Sequence, residues 1–282
     1  MSMNFVLFND QVVPKENALL SPIDSGILIG DGVFTTLLIQ NGVPILIKEH
    51  CKRLYSQAKK LNLRIVKLSS QSIHELIMRN NAELGTYRLK LCYIAQGDFF
   101  QKNKLSNLVG VLSPYTLKKD PIRLLPYPHP IETPFSHYKT LAYSHRFFLL
   151  QWAISQQFDD VITIDSKGHI LETAFANIFW LRRKTLYYPA AELPVFPGIT
   201  MAVIKKIVSS WEGYSIRPSY RQVQDITTSE QWFIANSLLG IRPVVQIGLM
   251  SLIRNQTLEQ RLSYNYKKLI SFYQNELKGN FF

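Results

Sequence analysis

Lys139 is followed by a long apolar, helix-like segment, then by an acidic turn, and then by Leu171-Glu172-Thr173. A lysine amine can form a Schiff base with an aldehyde cofactor, and a carboxylate facing that cofactor's ring nitrogen would keep it protonated. Lys139 and Glu172 are therefore candidates for Schiff-base chemistry. Pro197-Gly198-Ile199-Thr200 opens a helix. The free amides of Ile199 and Thr200 at that start suit a phosphate, and Gly198 lets it approach the backbone. A plain helix entry would look the same. The turn Asn236-Ser237-Leu238-Leu239-Gly240 could add hydroxyl and amide donors to an anion site. Arg53 sits beside Leu54 on a helix, where periodicity alone makes a solvent-facing arginine at least as good a reading as a phosphate ligand.

The elements that would position these groups follow from apolar spacing and turn residues. Residues 4–9 and 11–13 read as a hairpin across Asn9-Asp10. Phe34 to Gln40 is a strand turning at Asn41-Gly42 into Val43 to Ile47. Gly30-x-Gly32 is not a dinucleotide fingerprint, since the third glycine is missing and a strand follows. Helices are expected from Glu49 to Leu61 and from Ser70, as the cap, to Leu84, with strands over Tyr87 to Ala95 and Leu108 to Leu112. Pro114, Lys118-Lys119-Asp120-Pro121 and Pro126 to Pro130 form the only composition shift. A domain boundary is expected there, near residue 118, dividing 1–117 from a C-terminal domain, 118–282, that carries Lys139.

Beyond it, Phe147 to Ile154 reads as a buried helix, and Val161 to Ile164 with His169 to Glu172 as a hairpin across Asp165 to Gly168. Ile178 to Leu181 and Leu186 to Tyr188 form a second hairpin. Trp232 to Ala235 is a strand, and Glu259 to Leu277 closes the chain as a helix. The class is mixed α+β.

The chain has 282 residues, 46% hydrophobic and 18% charged, which describes a globular protein with ample core. Every apolar run is interrupted before the roughly 18 residues that span a bilayer, so no membrane partner is expected. The opening residues lack the basic segment of a signal peptide, and a cytoplasmic location is the expectation. Cys51 and Cys92 stand far apart without ligand spacing to histidine, against a disulfide framework or a zinc site. The formal charge of +12 is scattered rather than clustered. An anionic cofactor and substrate account for it better than nucleic acid.

In their order along the chain these motifs resemble the fold-type IV pyridoxal-phosphate enzymes, the class-IV aminotransferase family. The resemblance rests on Gly30-Asp31-Gly32-Val33-Phe34, Arg53-Leu54, Tyr138-Lys139-Thr140, Leu171-Glu172 with Ala176-Asn177-Ile178-Phe179, Pro197-Gly198-Ile199-Thr200, and Asn236-Ser237 with Pro243-Val244. It implies a two-domain fold, with an N-terminal α/β sandwich-like domain and a C-terminal β-barrel-like domain with helices, and a homodimer. It further implies that Lys139 bears pyridoxal 5′-phosphate and shuttles a Cα proton, and that Glu172 pairs with the ring nitrogen. Arg53, Gly198, Ile199, Thr200 and Ser237 would hold the phosphate, with Tyr143 and Asn177 as further cofactor contacts.

Within the family the Thr35-Thr36 pair and the Asn236 turn are most similar to the aminodeoxychorismate lyases. The position of Thr35 is commonly Glu in the branched-chain and D-amino acid aminotransferases, which are the alternative. A lyase reading makes Thr36 a candidate proton donor. Ala142, where relatives have Asn, and Gln96, where many have Arg, imply altered substrate recognition.

Overall fold

A computed structural model describes residues 3–98, 100–101, 104–118 and 120–276. Lys119 and Leu277, each part of a segment read above, lie outside the described residues. By their contacts the described residues form two compact units. The first takes the chain up to Leu117, the segment Tyr138–Tyr143 and the described residues from Ile270 on; the second takes Lys118–His137 and Ser144–Leu269.

In the first unit, Asn9 and Asp10 both take positive φ (51° and 65°), the twist that a two-residue hairpin needs. They join β1 (Phe5–Phe8) to β2 (Gln11–Pro14). A one-turn helix, α1 (Ser25–Leu28), precedes β3 (Gly32–Gln40). Asn41 and Gly42 again take positive φ, but β4 is only Val43–Pro44, not a strand to Ile47. Pro44 has no N–H with which to extend the ladder, and Leu46 at φ 54° redirects the chain into α2 (Ile47–Lys60). The next helix, α3 (Ser70–Arg79), is capped by Ser69, whose hydroxyl accepts from Ser72 N at 3.1 Å, and not by Ser70. It stops well before Leu84, because Asn81 turns to φ 51°. β5 (Thr86–Ala95) and β6 (Ser106–Pro114) complete an antiparallel sheet ordered β2-β1-β6-β5-β3-β4. Ile47, Cys51, Leu54 and Ala58 of α2 and Ile73 and Leu76 of α3 share one core with Leu37, Ile39, Leu89 and Leu91 of the sheet.

The sequence reading put Lys139 in the C-terminal domain, whereas contacts group its segment with the first unit. The cause is direct backbone pairing. Phe34 N donates to Lys139 O at 2.8 Å and Leu141 N to Gly32 O at 3.0 Å.

The second unit opens with β7 (Ile122–Pro126), unexpected in a proline-rich stretch that reads as linker. It runs parallel to two neighbours, partners that nothing local announces. α4 (Ser144–Ser155), β8 (Asp160–Ile162), β9 (Asn177–Arg182), β10 (Thr185–Pro189) and α5 (Ile199–Ser209) follow. Then come β11 (Ser215–Ser219), β12 (Gln231–Asn236), β13 (Gly240–Ile247), β14 (Met250–Ser251) and α6 (Gln256–Glu276). The eight strands form a mixed sheet ordered β11-β10-β9-β12-β13-β7-β8, with β14 on β13. Trp180 of β9 stacks on Trp232 of β12 at 4.5 Å between ring centroids, and Phe179 on Phe233 at 5.2 Å, so both faces of this strand pair are filled by aromatics.

The expected strand His169 to Glu172 is instead three isolated bridges, of His169 to Gln222, Ile170 to Ile164 and Glu172 to Asn177. Its donors are divided: Leu171 N bonds Thr163 O at 2.9 Å, while Ile170 N bonds Arg221 O at 2.7 Å. Among the described residues no helix is long and apolar enough to cross a membrane.

Candidate active site

The lysine is presented by a close backbone approach. A Cβ on Gly32 would lie 2.2 Å from Tyr93 O and 2.6 Å from Leu141 Cδ1, and one on Gly30 (φ +70°) would lie 2.8 Å from Ala142 N. The two glycines therefore let residues 139–142 lie against β3, which explains a spacing that fits no nucleotide motif. Lys139 is half-buried. Its amine donates to Tyr143 Oη at 3.2 Å and stands 4.8 Å from the ring centroids of both Phe34 and Tyr143. Those rings meet edge-on at 5.1 Å, and the lysine's own amide is 3.3 Å from Gln57 Oε1. The exposed Lys90 of β5 puts a second amine 4.5 Å from the Phe34 ring.

Alternation along β3 separates the two threonines. Thr36 shares the face of Phe34, while Thr35 points toward α2. There Thr35 is fully buried, with its hydroxyl 2.6 Å from His50 Nδ1 and accepting from Arg53 Nη2 at 3.0 Å. His50 and Arg53 are three apart on α2 and so share a helix face. Burial, with the charges of Arg53 and Lys139, holds His50 well below the ordinary 6.5, so it is neutral at pH 7. Burial lowers Arg53 to about 10, which leaves it cationic at neutral pH. Arg53 is thus an arginine turned inward, and the solvent-facing alternative does not hold. His50 and Gln57 escaped the sequence reading; for His50 the available signal was its i, i+3 spacing to Arg53.

The second unit holds a carboxylate and an anion cradle. Glu172 is 4% exposed. Its Oε1 accepts from Arg146 Nη2 at 2.6 Å, and its Oε2 from Phe196 N at 3.3 Å and Asn177 Nδ2 at 3.5 Å. Asn177 Nδ2 also donates to Phe196 O at 2.7 Å, which ties Glu172 to the loop entering α5. Gly198 is the N-cap of α5, so no side chain caps its first turn. A Cβ on Gly198 would come within 1.8 Å of Asn177 Oδ1, and only glycine fits without displacing that amide. The hydroxyls of Thr200 and Ser237 are 3.5 Å apart, and Thr200 is also hydrogen-bonded to the buried phenol of Tyr266. Asn236 Oδ1 accepts from Leu238 N and Leu239 N at 2.9 and 2.7 Å, which fixes the turn that carries Ser237. Arg146 was missed; its signal was a lone arginine at the head of an otherwise apolar helix.

Lys139, Tyr143, Arg53 and Thr36 thus belong to the first unit, and Glu172, Asn177, Gly198, Ile199, Thr200 and Ser237 to the second. The first unit carries a lysine on an aromatic surface and an inward cation, groups of the kind that bear an aldehyde and pair with a phosphate. The second carries a buried carboxylate and a glycine-capped helix start flanked by hydroxyls, groups of the kind that pair with a basic ring nitrogen and bind a phosphate.

Comparison with known proteins agrees. Residues 32–247 match the Amino-transferase class IV family, and the chain belongs to it, a group of pyridoxal-phosphate-dependent enzymes. A Methanocaldococcus jannaschii protein named as a branched-chain-amino-acid aminotransferase is 27% identical over 253 residues, 86% of this chain and 87% of that one. The aminodeoxychorismate lyase of Bacillus subtilis is 23% identical over 262 residues, 86% of each chain. The branched-chain aminotransferase of Thermoproteus uzoniensis, solved with norvaline, superposes with a TM-score of 0.85 at 18% identity over 94% of each chain, a likeness of fold.

Proposed function

We propose that the protein is a pyridoxal-phosphate-dependent 4-amino-4-deoxychorismate lyase, which splits its substrate into 4-aminobenzoate and pyruvate, a step of folate synthesis. The observation that carries this reading is the β3 face. Phe34, with its ring beside the Lys139 amine, is followed on the same face by the hydroxyl of Thr36 and flanked by the Lys90 amine, while Thr35 is turned away. A neutral hydroxyl next to cationic amines suits a substrate that carries two carboxylates and a departing ether oxygen.

In this reading Arg53, the amides of Ile199 and Thr200, and Ser237 hold the phosphate. Glu172 faces the ring nitrogen, with Asn177 keeping the adjoining loop in place. The bound cofactor supplies an electron sink for the pair released at the substrate's amine-bearing carbon. Lys139 bears the cofactor and then takes the proton from that carbon, with Tyr143 orienting its amine. Thr36 donates a proton to the ether oxygen as its bond to the ring breaks, so the enolpyruvyl group leaves and becomes pyruvate. No second substrate is needed, since the atoms of the two products sum to those of the one reactant. Lys90 attracts the anionic substrate. The protein acts as a cytoplasmic homodimer.

A branched-chain or D-amino acid aminotransferase is the second reading, favoured by the 27% identity to the Methanocaldococcus jannaschii protein. Incubating the purified holoenzyme with aminodeoxychorismate should release 4-aminobenzoate and pyruvate in equal amounts. Absence of both products, with amino transfer from branched-chain or D-amino acids to 2-oxoglutarate or pyruvate, would replace the lyase by the transaminase.

A further inference from the structure

α4 is apolar over most of its length, and Arg146 is its only arginine or lysine. It sits in the first turn, where the helix dipole disfavours a cation, yet it is 7% exposed. Its partners account for that burial. Nη2 donates to Glu172 Oε1 at 2.6 Å, and Nη1 donates to Thr173 O at 3.1 Å. One guanidinium therefore holds both the side chain of residue 172 and the backbone of residue 173. Asp160, also buried, feels the Arg146 charge, and its Oδ1 accepts from Val161 N and Ala174 N at 2.8 and 3.0 Å. The hairpin end that carries Glu172 is thus fixed at three successive residues.

The two oxygens of Glu172 are unequal. Oε1 is engaged in a short, charge-assisted bond, whereas the contacts of Oε2 are long, at 3.3 and 3.5 Å. Capacity for a further strong hydrogen bond therefore lies on Oε2.

We propose that Arg146 is a positioning residue that clamps Oε1 of Glu172 and so presents Oε2 as the acceptor for the protonated ring nitrogen of pyridoxal phosphate. This rests on the assignment of Glu172 to the ring nitrogen, and is independent of whether the enzyme is lyase or transaminase. A carboxylate free to rotate would divide its time between Arg146-like partners and the ring. The clamp removes that freedom.

The test compares affinities of the apoprotein for pyridoxal phosphate and for its analogue with a CH in place of the ring nitrogen, both read by quenching of tryptophan fluorescence. The wild type should prefer pyridoxal phosphate by roughly tenfold or more, the worth of a hydrogen bond to a charged group. Arg146→Met should bring that ratio to within about threefold of unity while changing affinity for the analogue little. Arg146→Lys, which keeps the charge but lacks the planar fork that engages Glu172 Oε1 and Thr173 O, should fall between, and it serves alone if the methionine variant does not fold. A wild-type ratio retained in Arg146→Met, or in full in Arg146→Lys, overturns the proposal. A wild type without preference overturns the assignment of Glu172, and the proposal with it.

Discussion

The amine of Lys139 donates to the phenolic oxygen of Tyr143 at 3.2 Å, four residues along the chain, with the Phe34 ring against both. Tyr143→Phe keeps the ring contact and removes only the oxygen that orients the amine. Turnover should fall about tenfold or more, the scale of losing one hydrogen bond to a charged group, while the thermal midpoint moves little. Steady-state kinetics and calorimetry on the same preparation check both halves.

Thr35 sits fully buried between His50 and Arg53. Thr35→Val has nearly the same shape but leaves two buried polar groups without that hydroxyl, and should cost about 1–3 kcal/mol in urea denaturation. His50 adds a pH signature. Its folded-state value lies below the ordinary 6.5, so the stability it contributes is present above pH 6.5 and is lost as pH falls toward the folded value. His50→Gln should lose less stability than the wild type between pH 7.5 and about pH 5.5, where the unfolded histidine is protonated. Parallel slopes would show that His50 is not held neutral.

Gly198→Ala puts a methyl where Asn177 Oδ1 lies, at 1.8 Å. Either the amide or the start of α5 must move. Overpacking of this kind costs about 1–3 kcal/mol. Because the amides of Ile199 and Thr200 shift with the helix start, affinity for inorganic phosphate in the apoprotein should drop as well. Isothermal titration of the apoprotein with phosphate would show whether it does.

Asp160 is buried, and desolvation raises it from 3.8 to about 6 against the opposing hydrogen bonds of Thr173, Val161 and Ala174 and the charge of Arg146. An acid with a raised folded value contributes stability that is full below pH 3.8 and is lost as pH rises through about 6. The difference corresponds to ~3 kcal/mol at most. Asp160→Asn keeps an oxygen for the Val161 and Ala174 amides without the buried charge. It should be the more stable protein at pH 8 and lose that advantage by pH 4.5, as measured by unfolding midpoints at the two values.

Candidate groups and turns were legible in sequence wherever they depended on residue type and local geometry. Lys139, Glu172, the Gly198 helix entry and the two turns at Asn9-Asp10 and Asn41-Gly42 are read from neighbours within a few positions. In each, the backbone conformation or the reactive group is a property of those residues themselves. The strands β7 and β11 were not legible, because their pairing is parallel and their partners are distant in the chain. The hydrogen bond of Arg146 to Glu172 spans 26 positions and that of His50 to Thr35 spans 15. Such contacts leave no periodic trace, since neither residue's surroundings announce the other.

The sequence alone determined which groups are candidates for the chemistry: an amine, a carboxylate, and a helix start fit for phosphate. Only the tertiary structure decided which of two adjacent threonines is buried against α2, that Arg53 turns inward, and that Lys139 pairs with β3 rather than with the chain that follows it. Those choices depend on which side of a strand or helix meets the core, and burial over the whole unit sets that.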